Sequence, residues 1–215
     1  MYQLREAEQL DQFFQRVSQN EINSLARSKL TYLPAKNYAE PWIENTQIIT
    51  MNTTAEAGMP HTRPNNIICM PIYFPESRKT ETLAHEFVHI HQRRHTDAWN
   101  RFFQKEGWSR VDPYELPENL VARCRMNPDT IDQPFWAWKR HVPLPLFERE
   151  DKPDLRQVAI RWFNLDTKVH QSEAPRLFLE KYGYPSQPEH PREISAVQLA
   201  PYVKGSQDIN DYLSR

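Results

Sequence analysis

Four of the eight histidines of this chain lie within fourteen residues, in the stretch TLAHEFVHIHQRRH at positions 82–95. Within it, His85, Glu86 and His89 form the pattern H-E-x-x-H. On a helix each residue turns about 100°, so the two histidines lie about 40° apart and one turn apart along the axis. Both imidazoles can then bind one metal ion, while Glu86 lies beside them and can act on a water that the metal activates. The pattern predicts a metal site with hydrolytic chemistry.

The opposite side of the same helix is apolar. Leu83, Phe87 and Ile90 lie within about 60° of one another, roughly opposite the histidines. We therefore expect the back of the helix to pack on a core while its front faces a cleft. Gln92 lies on the metal side of the helix, where it can form a hydrogen bond.

The H-E-x-x-H stretch resembles the zincins, a class of zinc metallopeptidases. The resemblance implies a helix with two ligands to Zn²⁺, a third ligand further along the chain, and a sheet whose edge strand aligns an extended peptide or protein substrate. Residues 65–74, NNIICMPIYF, are the expected edge strand, which would hold the peptide by strand addition.

Two candidates for the third ligand lie close to the motif. HEFVHIHQRRH matches the longer metzincin pattern H-E-x-x-H-x-x-G-x-x-H except at Gln92, and RMNP at 125–128 resembles a Met-turn. Without that glycine the helix continues, and His95 then lies about 120° round from His89 and about 9 Å further along. Glu118, in PENLVAR, is the other candidate, with the simpler role of an acid at a helix N-terminus.

Glu193 is the third candidate and the one that we prefer. Pro191 starts a predicted helix, HPREISAVQLA, and places Glu193 in its first turns. The segment resembles the glutamate-bearing helix of gluzincins. With H-E-x-x-H and NPDT it is similar to little-characterised gluzincin-like metallopeptidases of viral and microbial genomes. The gap of 104 positions from His89 is longer than in thermolysin-like enzymes, and Val197 stands where many gluzincins place an acid. The supporting acid must therefore come from elsewhere; Asp129 of NPDT is one candidate, and the alternative is that NPDT only forms an Asn-Pro turn.

The resemblance also implies a mechanism. Two histidines and a carboxylate would hold Zn²⁺ and leave a fourth position for water. Glu86 would take the proton from that water and pass it to the leaving amine. Tyr184 and His190, close to Glu193 in sequence, are candidates for stabilising the oxyanion.

We therefore expect a zinc-dependent metallopeptidase that hydrolyses peptide bonds. A catalytically silent zincin-fold protein, serving as a structural or binding component of a larger assembly, is the alternative, and a zinc hydrolase of non-peptide amides is a third possibility. The intact Glu86 favours an active enzyme, because a purely structural site has no use for a base.

Length, charge and composition predict the number of domains, the kinds of partner and the compartment. The chain has 215 residues, enough for one domain with a real core, and we expect a single zincin-like domain over 1–215 with a helical N-terminal segment over 1–35 packed on it. A formal charge of -1 predicts neither nucleic acid nor an anionic membrane as partner. The sequence has no apolar run of membrane-spanning length and no secretory h-region, so we expect a cytoplasmic protein. Cys69 and Cys124 are expected to be buried thiols.

The elements that must position the site follow from periodicity and from Pro and Gly. Strands are predicted over 46–53, 65–74 and 154–167, with loop and strand over 125–150 and a loop over 54–64. Helices are predicted over 3–30, 80–94, 97–107, 117–124, 174–183 and 191–200. The expected fold is α+β: a small mixed sheet, an active-site helix and additional helices.

Overall fold

The computed structural model describes residues 46–51, 55–63, 66–71, 73–149, 151, 153–205 and 208–214. Over these residues the chain combines α-helices with two β-sheets, which confirms the predicted α+β class. The helical segment predicted within 1–35 lies outside the described residues. None of the helices in the described part has both the length and the apolar character that a membrane crossing requires.

The described helices and strands alternate along the chain. The strands are β1 (Gln47–Met51), β2 (His61–Arg63), β3 (Ile67–Pro71), β4 (Trp108–Arg110), β5 (Trp136–Trp138), β6 (His141–Phe147), β7 (Val158–Asn164) and β8 (His170–Gln171). The helices are α1 (Glu76–Arg94), α2 (Thr96–Lys105), α3 (Glu118–Val121), α4 (Arg176–Tyr182), α5 (Pro191–Lys204) and α6 (Ile209–Leu213). The chain divides into two compact units, whose described residues are 46–102 with 195–214, and 103–194.

The unit of residues 46–102 and 195–214 contains a three-stranded mixed sheet in the order β1-β3-β2. β1 runs parallel to β3, with Gln47 opposite Ile67, and β2 runs antiparallel to it, with His61 opposite Cys69. Asn66 has a φ of 60° in the connection between β2 and β3. A short polar side chain tolerates this left-handed conformation better than most.

This sheet corrects two expectations. β3 lies within the predicted strand 65–74, but it pairs on both sides, so it cannot be the edge strand that accepts a peptide. The predicted loop 54–64 contains β2, whose three residues are too few for an alternating pattern to reveal. Among the described strands of this sheet, the edges belong to β1 and β2.

Helix α1 carries the H-E-x-x-H pattern and begins four residues before its predicted start at Thr80. Glu76 lies in its first turn, where an acid is favourable, and pairs with Lys79 at 2.6 Å. The apolar side of the helix packs on the sheet, as predicted, through Leu83 and Ile90, two of the three residues expected there. These two form a buried hydrophobic cluster with Ile48, Ile68 and Met70 of the sheet.

The unit of residues 103–194 contains a five-stranded antiparallel sheet in the order β4-β5-β6-β7-β8. β5 and β6 are joined by Lys139 and Arg140, whose φ values of 43° and 72° match the tight turn that two-residue hairpins prefer. β7 lies within the predicted strand 154–167, and β5 and β6 lie within 125–150, as expected.

Both cysteines are buried thiols, as predicted: Cys69 lies in β3, and Cys124 lies in the core of the unit of residues 103–194. Burial raises the pKa of the Cys124 thiol above its ordinary range, so this side chain behaves as a small apolar residue.

Candidate metal centre

His85 and His89 lie one turn apart on α1, with their ring planes inclined by 77°. Their Nε2 atoms are 3.1 Å apart. Two nitrogens bound to a tetrahedral zinc ion at about 2.0–2.1 Å lie about 3.3–3.4 Å from each other. The two imidazoles therefore already point their Nε2 atoms at a common point, close to the spacing that one ion needs.

Glu193 supplies a third donor. It lies in the first turn of α5 and its side chain is almost completely buried. Ligand atoms of His85, His89 and Glu193 all lie within 4.8 Å of one another, and the three side chains could hold a metal ion. Among the described residues, this is the group of histidine, cysteine and acidic side chains whose ligand atoms lie close enough to share a metal ion. Glu193 joins the group although it lies 104 positions after His89 in the sequence.

Gln92 contacts the buried histidine directly. Its Oε1 accepts a hydrogen bond from Nδ1 of His89 at 2.8 Å, and its Nε2 donates to Oγ of Ser195 at 3.0 Å. Gln92, His89 and Ser195 are all buried. The prediction that Gln92 lies on the metal side of the helix and hydrogen-bonds there is confirmed.

The NPDT segment contacts Glu193 through Asn127. Nδ2 of Asn127 donates to Oε1 of Glu193 at 2.7 Å, while Oδ1 of Asn127 accepts from the backbone N–H of Asp129 at 3.1 Å. The second bond fixes which end of the amide faces the carboxylate, because an amide oxygen accepts and an amide nitrogen donates. Asn127 is therefore the NPDT residue whose side chain is seen to hold Glu193, and the supporting role of Asp129 stays a prediction.

The first turn of α5 is anchored by an ion pair between a buried arginine and a partly exposed aspartate. The guanidinium of Arg192, which is 1% exposed, binds both carboxylate oxygens of Asp132 at 2.6 and 2.8 Å. This two-point geometry fixes the plane of the guanidinium as well as its position. Because Glu193 is the next residue, the pair also fixes the start of the helix on which that carboxylate stands.

His190 caps this helix. Its Nε2–H donates to the carbonyl of Gln133 at 2.9 Å, and its Nδ1 accepts from the backbone N–H of Arg192 at 3.1 Å. Burial, and then the charge of Arg192, lower the pKa of His190 to about 3. Both ring nitrogens of His190 are engaged in hydrogen bonds and the ring is neutral, so His190 has a structural role here. This role explains the residue without the oxyanion-stabilising role that its position near Glu193 suggested.

Glu189 is a nearby acid that the sequence did not single out. Burial, and then the like charge of Glu193, raise the pKa of the Glu189 carboxyl to about 7. A carboxyl with this pKa is partly protonated at neutral pH. Its only sequence signal is its position four residues before Glu193, which is not distinctive.

The remaining predicted residues occupy different places. Glu86 is buried next to His85 on α1. His95 is exposed at the end of α1, with its ring centroid 4.2 Å from that of His91, and it is not part of the three-residue group. Glu118 is exposed on α3 and is not part of the group either. Tyr184 is 89% exposed, and its oxyanion role stays a prediction.

Two imidazoles and one carboxylate form a donor set of the kind found in catalytic zinc sites, where water or substrate takes the fourth position. The spacing of the Nε2 atoms and the burial of His89 and Glu193 fit such an ion.

No family model, no curated protein and no solved structure matches this chain.

Proposed function

We propose that this protein is a zinc-dependent metallopeptidase of zincin type that hydrolyses peptide bonds. The observation that carries the proposal is the group of His85 and His89 on α1 and Glu193 on α5, whose donor atoms lie within 4.8 Å of one another. Helix α1 also bears Glu86. A bound zinc ion supplies Lewis-acid polarisation of the scissile carbonyl and activation of a water molecule.

The residues of the chain take the remaining roles. His85 and His89 would hold the ion through their Nε2 atoms, and Glu193 would add a negative charge to the donor set. Glu86 holds the proton that the attacking water gives up and passes it to the leaving amine. A peptide or an unfolded protein segment is the substrate class that this chemistry serves in the zincins.

The test compares Glu86→Gln with the wild type in cleavage of an unfolded, reduced and alkylated protein. The variant keeps the size of the side chain but cannot take a proton, so we expect cleavage to fall by about 10²–10⁴-fold while zinc binding is retained. Glu81→Gln makes the same change at an exposed position of the same helix and is expected to leave cleavage unchanged.

Three outcomes oppose the proposal. Cleavage by Glu86→Gln at the wild-type rate, or cleavage that persists after zinc is removed, contradicts the mechanism. A wild-type chain that binds zinc and cleaves no peptide or protein substrate favours the catalytically silent alternative.

A further inference from the structure

A single buried amide links one of the histidines to the helix that bears Glu193. Gln92 lies three residues after His89 on α1, and Ser195 lies two residues after Glu193 on α5. The Gln92 side chain bonds to both, at 2.8 Å to Nδ1 of His89 and 3.0 Å to Oγ of Ser195. Gln92 and His89 are 0% exposed and Ser195 is 3% exposed.

The bond to His89 determines which nitrogen carries the proton. An amide oxygen has no proton to donate, so Nδ1 of a neutral His89 must be protonated and Nε2 must keep its lone pair. That Nε2 atom lies 3.1 Å from Nε2 of His85. The nitrogen left unprotonated is therefore the one that faces the candidate metal position.

The bond to Ser195 holds the amide in place. A glutamine side chain has three rotatable bonds, and a second hydrogen bond at its far end restricts all of them. Because Ser195 is on α5, the same bond sets the position of His89 relative to the helix that carries the third donor. Neither effect requires Gln92 to touch the ion.

We propose that Gln92 is the residue that positions His89 for metal binding, by fixing its Nδ1–H tautomer and by tying its ring to α5 through Ser195. The proposal rests on the proposed function, because it concerns the same metal site. It also gives position 92 a role: where the longer metzincin pattern has a glycine, this chain has the residue that orients the second histidine.

The test measures zinc affinity by competition with a chelator of known affinity, and the tautomer of His89 by ¹⁵N NMR of the metal-free protein. Gln92→Met keeps the length of the side chain and removes both hydrogen bonds. We expect it to weaken zinc binding by about 10–100-fold, the usual cost of losing a residue that orients a metal ligand, and to abolish the preference for Nδ1–H.

Three further variants separate positioning from packing. Gln92→Glu keeps an acceptor for His89 Nδ1 and is expected to bind zinc at least as tightly as the wild type, because a carboxylate makes the imidazole a better ligand. Ser195→Ala removes the tie to α5 alone, and we expect a smaller loss of affinity than for Gln92→Met. Gln198→Met makes the same change at an exposed position of α5 and is expected to leave zinc affinity unchanged.

The outcomes of these measurements separate the role of Gln92 from the existence of the metal site. Wild-type zinc affinity in both Gln92→Met and Ser195→Ala, or an Nε2–H tautomer of His89 in the metal-free wild type, overturns the proposal for Gln92 and leaves the metal site standing. If Gln92→Met does not fold, Gln92→Glu and Ser195→Ala still test it. A wild-type chain that binds no zinc contradicts the metal site itself, and the proposal for Gln92 with it.

Discussion

Asn127 stabilises Glu193, the third candidate metal ligand, with one charge-assisted hydrogen bond. Its Nδ2 lies 2.7 Å from Oε1 of Glu193, and both side chains are buried. A buried carboxylate without such a donor is costly, since its charge is then poorly solvated. In the metal-free protein, Asn127 is therefore one residue that helps the structure to accommodate the charge of Glu193.

Asn127→Asp tests this role, because it keeps the oxygen that accepts from the backbone of Asp129 and replaces the donor with a second acid. Two carboxylates in contact repel, so we expect the metal-free protein to lose roughly 1–3 kcal/mol in unfolding free energy, most of it restored by zinc. Chemical denaturation with zinc and with a chelator measures both values. Asn119→Asp, at an exposed position of α3, is the control, and equal stability of the two variants without metal would contradict the role.

The candidate site was predictable at the residue scale to the extent that its geometry is local. The spacing of His85 and His89 places two imidazoles on one helix face whatever the rest of the fold is. The bond between Asn127 and Glu193 spans 66 positions, and no local rule indicates it. NPDT stood out as a motif, but its sequence gave no means of choosing between the Asn and the Asp.

Helix α1 is held to its sheet by the apolar side opposite the histidines. Leu83 is 1% exposed and packs in the cluster that includes Ile68 and Met70 of β3. Periodicity alone predicted this face, because a helix repeats every 3.6 residues along its whole length.

Leu83→Ala tests the contribution of this face. The substitution removes buried carbon atoms and leaves a cavity, so we expect the free energy of unfolding to fall by about 2–5 kcal/mol. Leu177→Ala removes the same atoms from a side chain that is 56% exposed and is expected to cost much less. Denaturant titration of both variants measures the difference; equal losses would show that α1 does not depend on this packing.

Strand order was beyond what the pattern could supply. Residues 65–74 read as a strand because they are rich in isoleucine, and β3 is there. Whether a strand is central or at an edge depends on which other segments pair with it, and one of these, β2, is only three residues long. A short strand bounded by prolines gives no alternation to recognise, so the predicted edge was wrong.

At the scale of the whole molecule, stability depends on pH through buried groups such as His190. Its pKa falls from 6.5 to about 3 on folding. Between these values the unfolded chain binds a proton that the folded chain does not, so stability rises with pH up to 6.5 and falls on acidification. Glu189 acts in the opposite direction, because its pKa is raised to about 7 and the folded chain binds the extra proton between 4.5 and 7.

His190→Asn isolates one of these contributions. The Asn Oδ1 takes the place of the ring Nδ1 and can still accept from the N–H of Arg192, but the side chain does not titrate. Between pH 6.5 and 4, we expect the metal-free variant to lose less stability per pH unit than the wild type, by about 1.4 kcal/mol for the one proton removed. Glu189 is unchanged and cancels in the comparison. His170→Asn, exposed in β8, is the control, and parallel pH profiles for all three proteins would contradict the assignment.

The central claim is that His85, His89 and Glu193 bind one metal ion, and zinc affinity tests it most directly. Titration with a competing chelator is applied to the wild type and to Glu193→Ala, Glu118→Ala and His95→Ala. We predict one zinc per wild-type chain, a loss of more than about 100-fold in Glu193→Ala, since removing a ligand costs more than removing a residue that supports one, and no loss in Glu118→Ala or His95→Ala. Full zinc affinity in Glu193→Ala, with loss of zinc in His95→Ala or Glu118→Ala, would contradict the claim.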